Sequence, residues 1–285
     1  VFAYGALLEH RGEPEVAADV FATVTRYVDA RSEFDLAFDA LMREGFCRRL
    51  MGDLDAAERA YENAGVIAGR SRDRSRVLLA RVGEAKVAWA RGNLPEADEA
   101  LAGIASEAAG LGDSRVHSIA LHDRAGVARM RNDLPRAISH VADSLRHAAE
   151  VGDRERVLAD LGNFLGLAGA FGTARHALSL LERIASRQEI RWIAQHNLMD
   201  LAVREGSETV FEQYRRRLSE SALPTRNAIY FLRDAGAGLA VFGRTAEAQQ
   251  AAKAVLQYFN KAAHLHHDDE EQDLMPMLQA TATGD

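Results

Sequence analysis

A six-residue segment that returns every forty residues constrains what this chain can fold into. It reads Gly-Asn-Leu-Pro-Glu-Ala at 92–97, and related segments begin at Gly12, Gly52, Asn132 and Gly172. Most copies place a small or polar residue first, a polar residue that can cap a helix next, and an alanine at the start of an amphipathic run. This is the pattern of a turn between two packed helices. A fixed period of this length predicts a solenoid, in which each repeat buries its apolar face against its neighbours.

The second turn of the unit repeats as well. Arg72-Asp73, Gly112-Asp113 and Gly152-Asp153 are again forty residues apart, and glycine can end one helix where aspartate caps the next. Later turns are expected at Gly206 and Gly243, with a spacing that drifts to 34 and then 37 residues after residue 187. No segment is typical of a strand. The predicted helices cover 1–11, 14–29, 33–51, 54–68, 74–91, 94–110, 114–131, 134–151, 154–171, 174–187, 226–242 and 245–262.

Composition excludes several classes of protein. The formal net charge of −7 argues against nucleic-acid binding by this region, because phosphate contacts need a basic excess. A single cysteine, Cys47, excludes an internal disulfide framework and favours a reducing, cytoplasmic location. No apolar run of membrane-spanning length occurs, so we expect no contact with a membrane. Residues 1–8 do not have the pattern of a signal peptide, and without an initiator methionine we expect the natural chain to begin before Val1.

A helix-turn-helix unit of this length, with glycine at the internal turn and alanine five residues later, resembles the tetratricopeptide repeat family in its longer bacterial form. The resemblance covers about residues 1–260, although the large aromatic residues of the family are mostly absent from the first helices. It implies an all-α fold, a right-handed α-solenoid of antiparallel helix pairs. Residues 1–262 would form six to seven pairs, the first truncated, and 263–285 an acidic, histidine-rich C-terminal cap or tail.

The same resemblance places the first helix of each pair along a concave groove that receives a peptide or protein segment. Nine residues before each turn, the sequence has Arg43, Gly83, Asp123, Asn163, Asn197 and Asp234. Amide and guanidinium groups there can hold a peptide backbone or a carboxylate, and Trp89 is a candidate anchor. The alternative is that these residues form only the solvated face of amphipathic helices. With the neighbouring columns, the candidate groove residues are Arg43, Lys86, Trp89, His122, Asp123, Arg129, Asn163, His196, Asn197, Asp200, Arg204 and Asp234.

The C-terminal segment suggests a different chemistry. His266 and Glu270, and His267 and Glu271, are four residues apart and would share one helix face, as in helical carboxylate and imidazole metal sites. The stretch resembles one helix of hemerythrin-like proteins, whose histidine and glutamate bind a diiron centre. The other ligands are missing, because no histidine occurs between His196 and the tail. The two interpretations are an iron site and a solvated acidic cap on the last repeat.

The sequence offers no catalytic motif. The glycine-rich run 166–172 ends a helix and follows no strand, so it does not predict a nucleotide loop. Cys47 is predicted to be a packed helix residue, and no hydrolase elbow, Walker loop or zinc spacing occurs. We therefore expect a protein- or peptide-binding scaffold or adaptor without enzymatic activity or cofactor, which forms part of a larger bacterial regulatory protein. The alternatives are a metal-binding or oxygen-sensing protein that uses iron in the tail, and an assembly unit that self-associates.

Overall fold

Fourteen α-helices make up the part of the chain that the computed structural model describes, which is residues 1–28 and 32–261. No strand occurs within these residues, and none of their helices is long and apolar enough to span a bilayer. Each helix packs against the one that follows it, so the helices form seven consecutive pairs, and the predicted all-α solenoid is confirmed. The helices are α1 Phe2–Arg11, α2 Pro14–Tyr27, α3 Phe34–Leu50, α4 Leu54–Ser71, α5 Arg74–Ala90, α6 Leu94–Leu111, α7 Ser114–Met130, α8 Leu134–Glu150, α9 Arg154–Leu167, α10 Phe171–Ile184, α11 Gln188–Arg204, α12 Glu208–Ser219, α13 Thr225–Val241 and α14 Thr245–Lys261.

Both turns of the repeating unit have the chemistry that the sequence predicts. At the turn inside the first pair, Gly12 takes the left-handed conformation with φ 76°, and its N–H donates to the Glu9 carbonyl at 3.0 Å. Aspartate side chains cap the N-termini of the helices that follow. At α4, Asp53 Oδ1 accepts a hydrogen bond from the Ala56 N–H at 3.2 Å. The same cap is made by Asp73, Asp113, Asp133 and Asp153.

The turn inside the fifth pair lies three residues earlier than predicted. Gly169 is the left-handed residue, with φ 79°, whereas Gly172 is the second residue of α10. The expected boundaries 154–171 and 174–187 are therefore wrong. The physical reason is the length of α9, which has 14 residues where α5 and α7 have 17.

Moving the fifth turn to Gly169 also changes the spacing between successive turns. The left-handed residues of the seven internal turns are Gly12, Gly52, Gly92, Asn132, Gly169, Gly206 and Gly243. Subtraction of successive numbers gives spacings of 40, 40, 40, 37, 37 and 37 residues. The predicted drift after residue 187 is wrong, because the period changes once, by about one helical turn, and is then constant.

Glycines allow large rings to fit between successive first helices. The Tyr61 ring of α4 lies against Gly45 of α3 and Gly83 of α5, where added Cβ atoms would be 2.8 Å and 2.3 Å from it. In the next interval the Trp89 ring of α5 lies against Gly126 of α7 in the same manner, at 2.4 Å. The buried side chains form several separate clusters along the chain, as expected when each pair packs on its neighbours.

The array also closes on itself. Helix α1 contacts α11, and α3 contacts α13, although these helices are far apart in the sequence. At this closure the indole of Trp192 packs on Gly12, so closely that a Cβ there would lie 2.4 Å from the ring. The first pair therefore meets the sixth and the second meets the seventh, so five pairs complete about one turn of a superhelix.

We expect Gly83→Ala to lower the free energy of unfolding by about 1–3 kcal/mol, because the added methyl group overlaps the Tyr61 ring. Gly110→Ala is the matched control, since Gly110 lies in α6 with nothing near its Cβ position. That control is expected to stabilise the chain by roughly 0.4–1 kcal/mol. Urea denaturation of both variants measures the difference, and equal midpoints would contradict the packing described here.

Candidate functional site

The first helices of the pairs line the inside of the superhelix. Contacts between first helices of successive pairs join α3 to α5, α5 to α7, α9 to α11 and α11 to α13. Both closing contacts, α1 to α11 and α3 to α13, also involve only first helices. First helices therefore approach one another most closely, which places them on the concave side, and we refer to their concave surface as the inner face.

Polar side chains on the inner face pair with those of neighbouring helix pairs. Lys86 Nζ lies 3.1 Å from Asp123 Oδ2, and His196 Nε2 lies 2.9 Å from Asp234 Oδ2. Both are ion-pair distances, but neither Asp123 Oδ2 nor His196 Nε2 meets hydrogen-bond geometry with any described group. The structure thus brings together, in two pairs, four of the predicted groove side chains, from the first helices α5, α7, α11 and α13.

Other polar contacts continue the row. The Asn197 amide donates to Asn163 Oδ1 at 3.3 Å, between α11 and α9. Arg204 Nε donates to Asp200 Oδ2 at 3.0 Å within α11. Arg129 is exposed and pairs with no side chain in the described part of the chain. Asparagine amides and a free guanidinium are groups that can exchange their present contacts for those of a ligand.

The corrected register adds a residue that the sequence analysis missed. Nine residues before Gly169 stands Asp160, not Asn163, and it is fully buried. His122 Nδ1 lies 2.5 Å from its Oδ1, and Ser144 Oγ lies 2.6 Å from its Oδ2. This cluster joins α7, α8 and α9 at the point where the period changes from 40 to 37 residues. Counting back from Gly206 and Gly243 in steps of 37 would have found it.

Cations exceed anions in the middle of the inner face. Burial lowers the pKa of Lys86, and the nearby Arg49 and Arg156 lower it further, whereas Asp123 opposes the shift. Burial raises the pKa of Glu189, which is coupled to Arg187, Arg49 and Lys86. Around Asp123 and Glu189, three anions, counting Glu9, thus face four cations, which are Arg49, Lys86, Arg156 and Arg187.

Glu9 closes the ring electrostatically. Its side chain is 4% exposed and accepts hydrogen bonds from Arg43 Nη1 of α3 at 2.5 Å and from Arg187 Nη1, just before α11, at 3.1 Å. Next to it, His10 Nδ1 lies 2.7 Å from the Ser186 carbonyl oxygen. We call Glu9, Arg43 and Arg187 the clasp. Glu9 stands three residues before the turn of its pair. At the same position the next three pairs have Arg49, Trp89 and Arg129. An acidic residue at a position that is otherwise basic or aromatic could have drawn attention to Glu9 in the sequence.

Two other residues singled out from the sequence have structural rather than reactive surroundings. Trp89 is partly buried in the apolar cluster between the third and fourth pairs, so its ring contributes to packing there. The Cys47 thiol is fully buried, and burial raises its pKa, which disfavours the reactive thiolate. Tyr61, whose hydroxyl interacts with Arg49, was not indicated by any sequence pattern.

Metal ligands are not grouped in the described ranges. Within residues 1–28 and 32–261, no three His, Cys, Asp or Glu side chains are placed to hold a metal ion together. The proposed tail ligands His266, His267, Glu270 and Glu271 lie outside the described residues, so the iron alternative stays a prediction.

Comparison with known proteins supports the fold. No protein-family model matches the sequence, and no curated protein matches it. A Rap protein, crystallised in complex with competence and sporulation factor, superposes with a TM-score of 0.57 at 13% identity, over 94% of this chain and 81% of that one. A tetratricopeptide repeat protein from Parabacteroides merdae gives a TM-score of 0.54 at 14% identity, over 99% and 96%. The chain therefore has the fold of the tetratricopeptide repeat proteins.

We expect Asp160→Ala to cost about 2–4 kcal/mol of stability, because it leaves His122 and buried Ser144 without their shared acceptor. Asn163→Ala, three residues later on the same helix, removes one long hydrogen bond and is expected to cost at most about 1 kcal/mol. Chemical denaturation of both variants measures the contrast. Equal losses would show that the register assigned here is wrong.

Glu9→Gln is expected to open the clasp, because Arg43 and Arg187 lose the charge that they share. Stability should fall by about 1.5–3 kcal/mol, as for a hydrogen bond to a charged group, and small-angle scattering should give a larger radius of gyration. Glu13→Gln is the control, since Glu13 is exposed and its side chain makes no hydrogen bond or ion pair with described residues. An unchanged radius and midpoint for Glu9→Gln would contradict a role of the clasp in closure.

Proposed function

We propose that the chain is a binding module that holds an extended or helical peptide segment of another protein along its inner face. The observation that carries this proposal is the row of polar side chains at equivalent positions of successive first helices. Asp123, Asn197 and Asp234 each lie nine residues before the turn of their pair, and the Asn197 amide donates a hydrogen bond to Asn163. A row of this kind can bond to successive peptide groups of a ligand along its length.

The fold gives the proposal a precedent. The Rap protein with the same fold was crystallised with competence and sporulation factor bound, so a superhelix of this shape is suited to holding another molecule. In this chain, the excess of cations around Lys86 and Arg49 favours a segment that carries negative charge or ends in a carboxylate. We infer that binding replaces the present side-chain pairs by pairs with the ligand.

Most of these inner-face side chains already have partners, so a ligand can bind them only by displacing those partners. A ligand must compete with the Lys86–Asp123 and His196–Asp234 pairs, so part of its binding energy is spent in separating them. Only a segment with complementary charges can offset the free energy needed to separate the pairs. This requirement favours selective binding over tight binding. We propose a cytoplasmic, non-enzymatic regulatory role, in which the module recognises a partner segment for a longer bacterial protein.

A random peptide display library, panned against the full chain, tests this proposal. Peptides bound by the inner face should bind Asn163→Ala/Asn197→Ala at least tenfold more weakly, which corresponds to about 1.4 kcal/mol. Gln213→Ala is the control, because Gln213 is an exposed amide of the second helix α12 and lines neither proposed binding surface. Fluorescence anisotropy gives the affinities.

The proposal fails in either of two cases. One is that no peptide is enriched over the library background. The other is that every enriched peptide binds the double variant as tightly as the original chain, which would place the binding surface elsewhere.

A further inference from the structure

A second surface, unrelated to the inner face, lies on the opposite side of α3. A groove of about 770 Å³ runs between α2 and α4, with α3 as its floor. Ala37, Leu41, Glu44 and Arg48 of α3 line it at positions i, i+4, i+7 and i+11, which form one stripe of a helix. Arg43 of the clasp lies on the other side of α3. We call this surface the outer groove.

The outer groove combines an apolar floor with a basic rim. The apolar lining includes Leu41 of the α3 floor and Ile67 of the α4 wall, both buried, and burial raises the pKa of Glu44 there, which favours its neutral form. Three exposed arginines line the groove, Arg26 of α2 and Arg59 and Arg70 of α4. None of the three forms an ion pair with a described residue, although the chain as a whole carries a net charge of −7.

The apolar lining and the arginines define which segments can bind in the outer groove. An occupant needs large apolar side chains for the floor and several carboxylates for the arginines. One stretch of this chain has both in sequence, since Asp268-Asp269-Glu270-Glu271-Gln272-Asp273 is followed directly by Leu274-Met275-Pro276-Met277-Leu278. We propose that residues 268–278 bind in the outer groove of the same molecule.

Helix α14 ends at the end of the array where two of the groove's arginines lie. Because all second helices run in the same direction, α2, α4 and α14 end at the same end of the array, where Arg26 and Arg70 lie. The contact of α3 with α13 brings the last pair beside the second. Residue 268 follows the end of α14 by seven residues, which span roughly 23 Å when extended.

This inference is independent of the proposed inner-face function. It assigns residues 268–278 to a contact with α2, α3 and α4, and it gives the acidic run a partner other than a metal ion. Docking would cover the apolar floor and neutralise the three arginines, so a partner protein with a similar acidic and apolar sequence would have to displace the tail.

Spin labels on the full chain test the contact directly. Glu62→Cys on α4 and Ala280→Cys beyond the docking stretch supply the sites, and the native Cys47 is fully buried and stays unlabelled under native conditions. Double electron-electron resonance is expected to give a single short distance. Arg59→Glu/Arg70→Glu should abolish that peak, and adding Glu270→Arg/Glu271→Arg to it should restore the peak by exchanging the charges.

The control and the opposing outcomes are well defined. Arg115→Glu/Arg154→Glu makes the same change of charge at two exposed arginines outside the groove, and should leave the distance unchanged. A short distance that is missing, or that survives Arg59→Glu/Arg70→Glu, overturns the proposal. A peak that disappears on dilution with unlabelled protein also overturns it, because a second copy of the chain then fills the groove.

Discussion

The close approach of successive first helices is the constraint on which the rest of this structure depends. Gly45 and Gly83 leave room for the Tyr61 ring, and Gly126 leaves room for that of Trp89, so each gap is filled by one large ring from an adjacent helix. First helices then contact across pairs, as α3 does α5 and α5 does α7. This asymmetry curves the array, and the curvature brings its first pair back against the sixth.

Curvature has an electrostatic consequence. Side chains on the inner face converge, lose contact with water and therefore need partners, since an unpaired charge in such a place is costly. The structure supplies them from neighbouring pairs, as in Lys86 with Asp123 and His196 with Asp234. Glu9 adds a contact between pairs that are not neighbours, which a solenoid held only by nearest-neighbour packing lacks. A few charges at one seam thus add to the packing that closes the ring.

The helices and most turns were predictable because glycine, asparagine and aspartate have direct roles in ending and starting helices. The fifth turn was not, since the run 166–172 holds three glycines and a forty-residue period selects the last of them. The left-handed residue is instead Gly169, chosen by the shorter α9. That error of three residues put Asn163 where Asp160 belongs. The clasp was beyond the reach of periodicity, because closure depends on the summed curvature of all the pairs and not on any local pattern.

Helix α3 connects the two surfaces to which we assign binding. Arg43 on its inner side holds Glu9, and Glu44 and Arg48 on its outer side line the outer groove. A displacement of α3 that separated Arg43 from Glu9 would also move the residues of α3 that line the outer groove. A ligand that opened the clasp and a segment in the outer groove would then act on the same element. In that case, thermodynamic linkage would require that each changes the affinity of the other by the same factor.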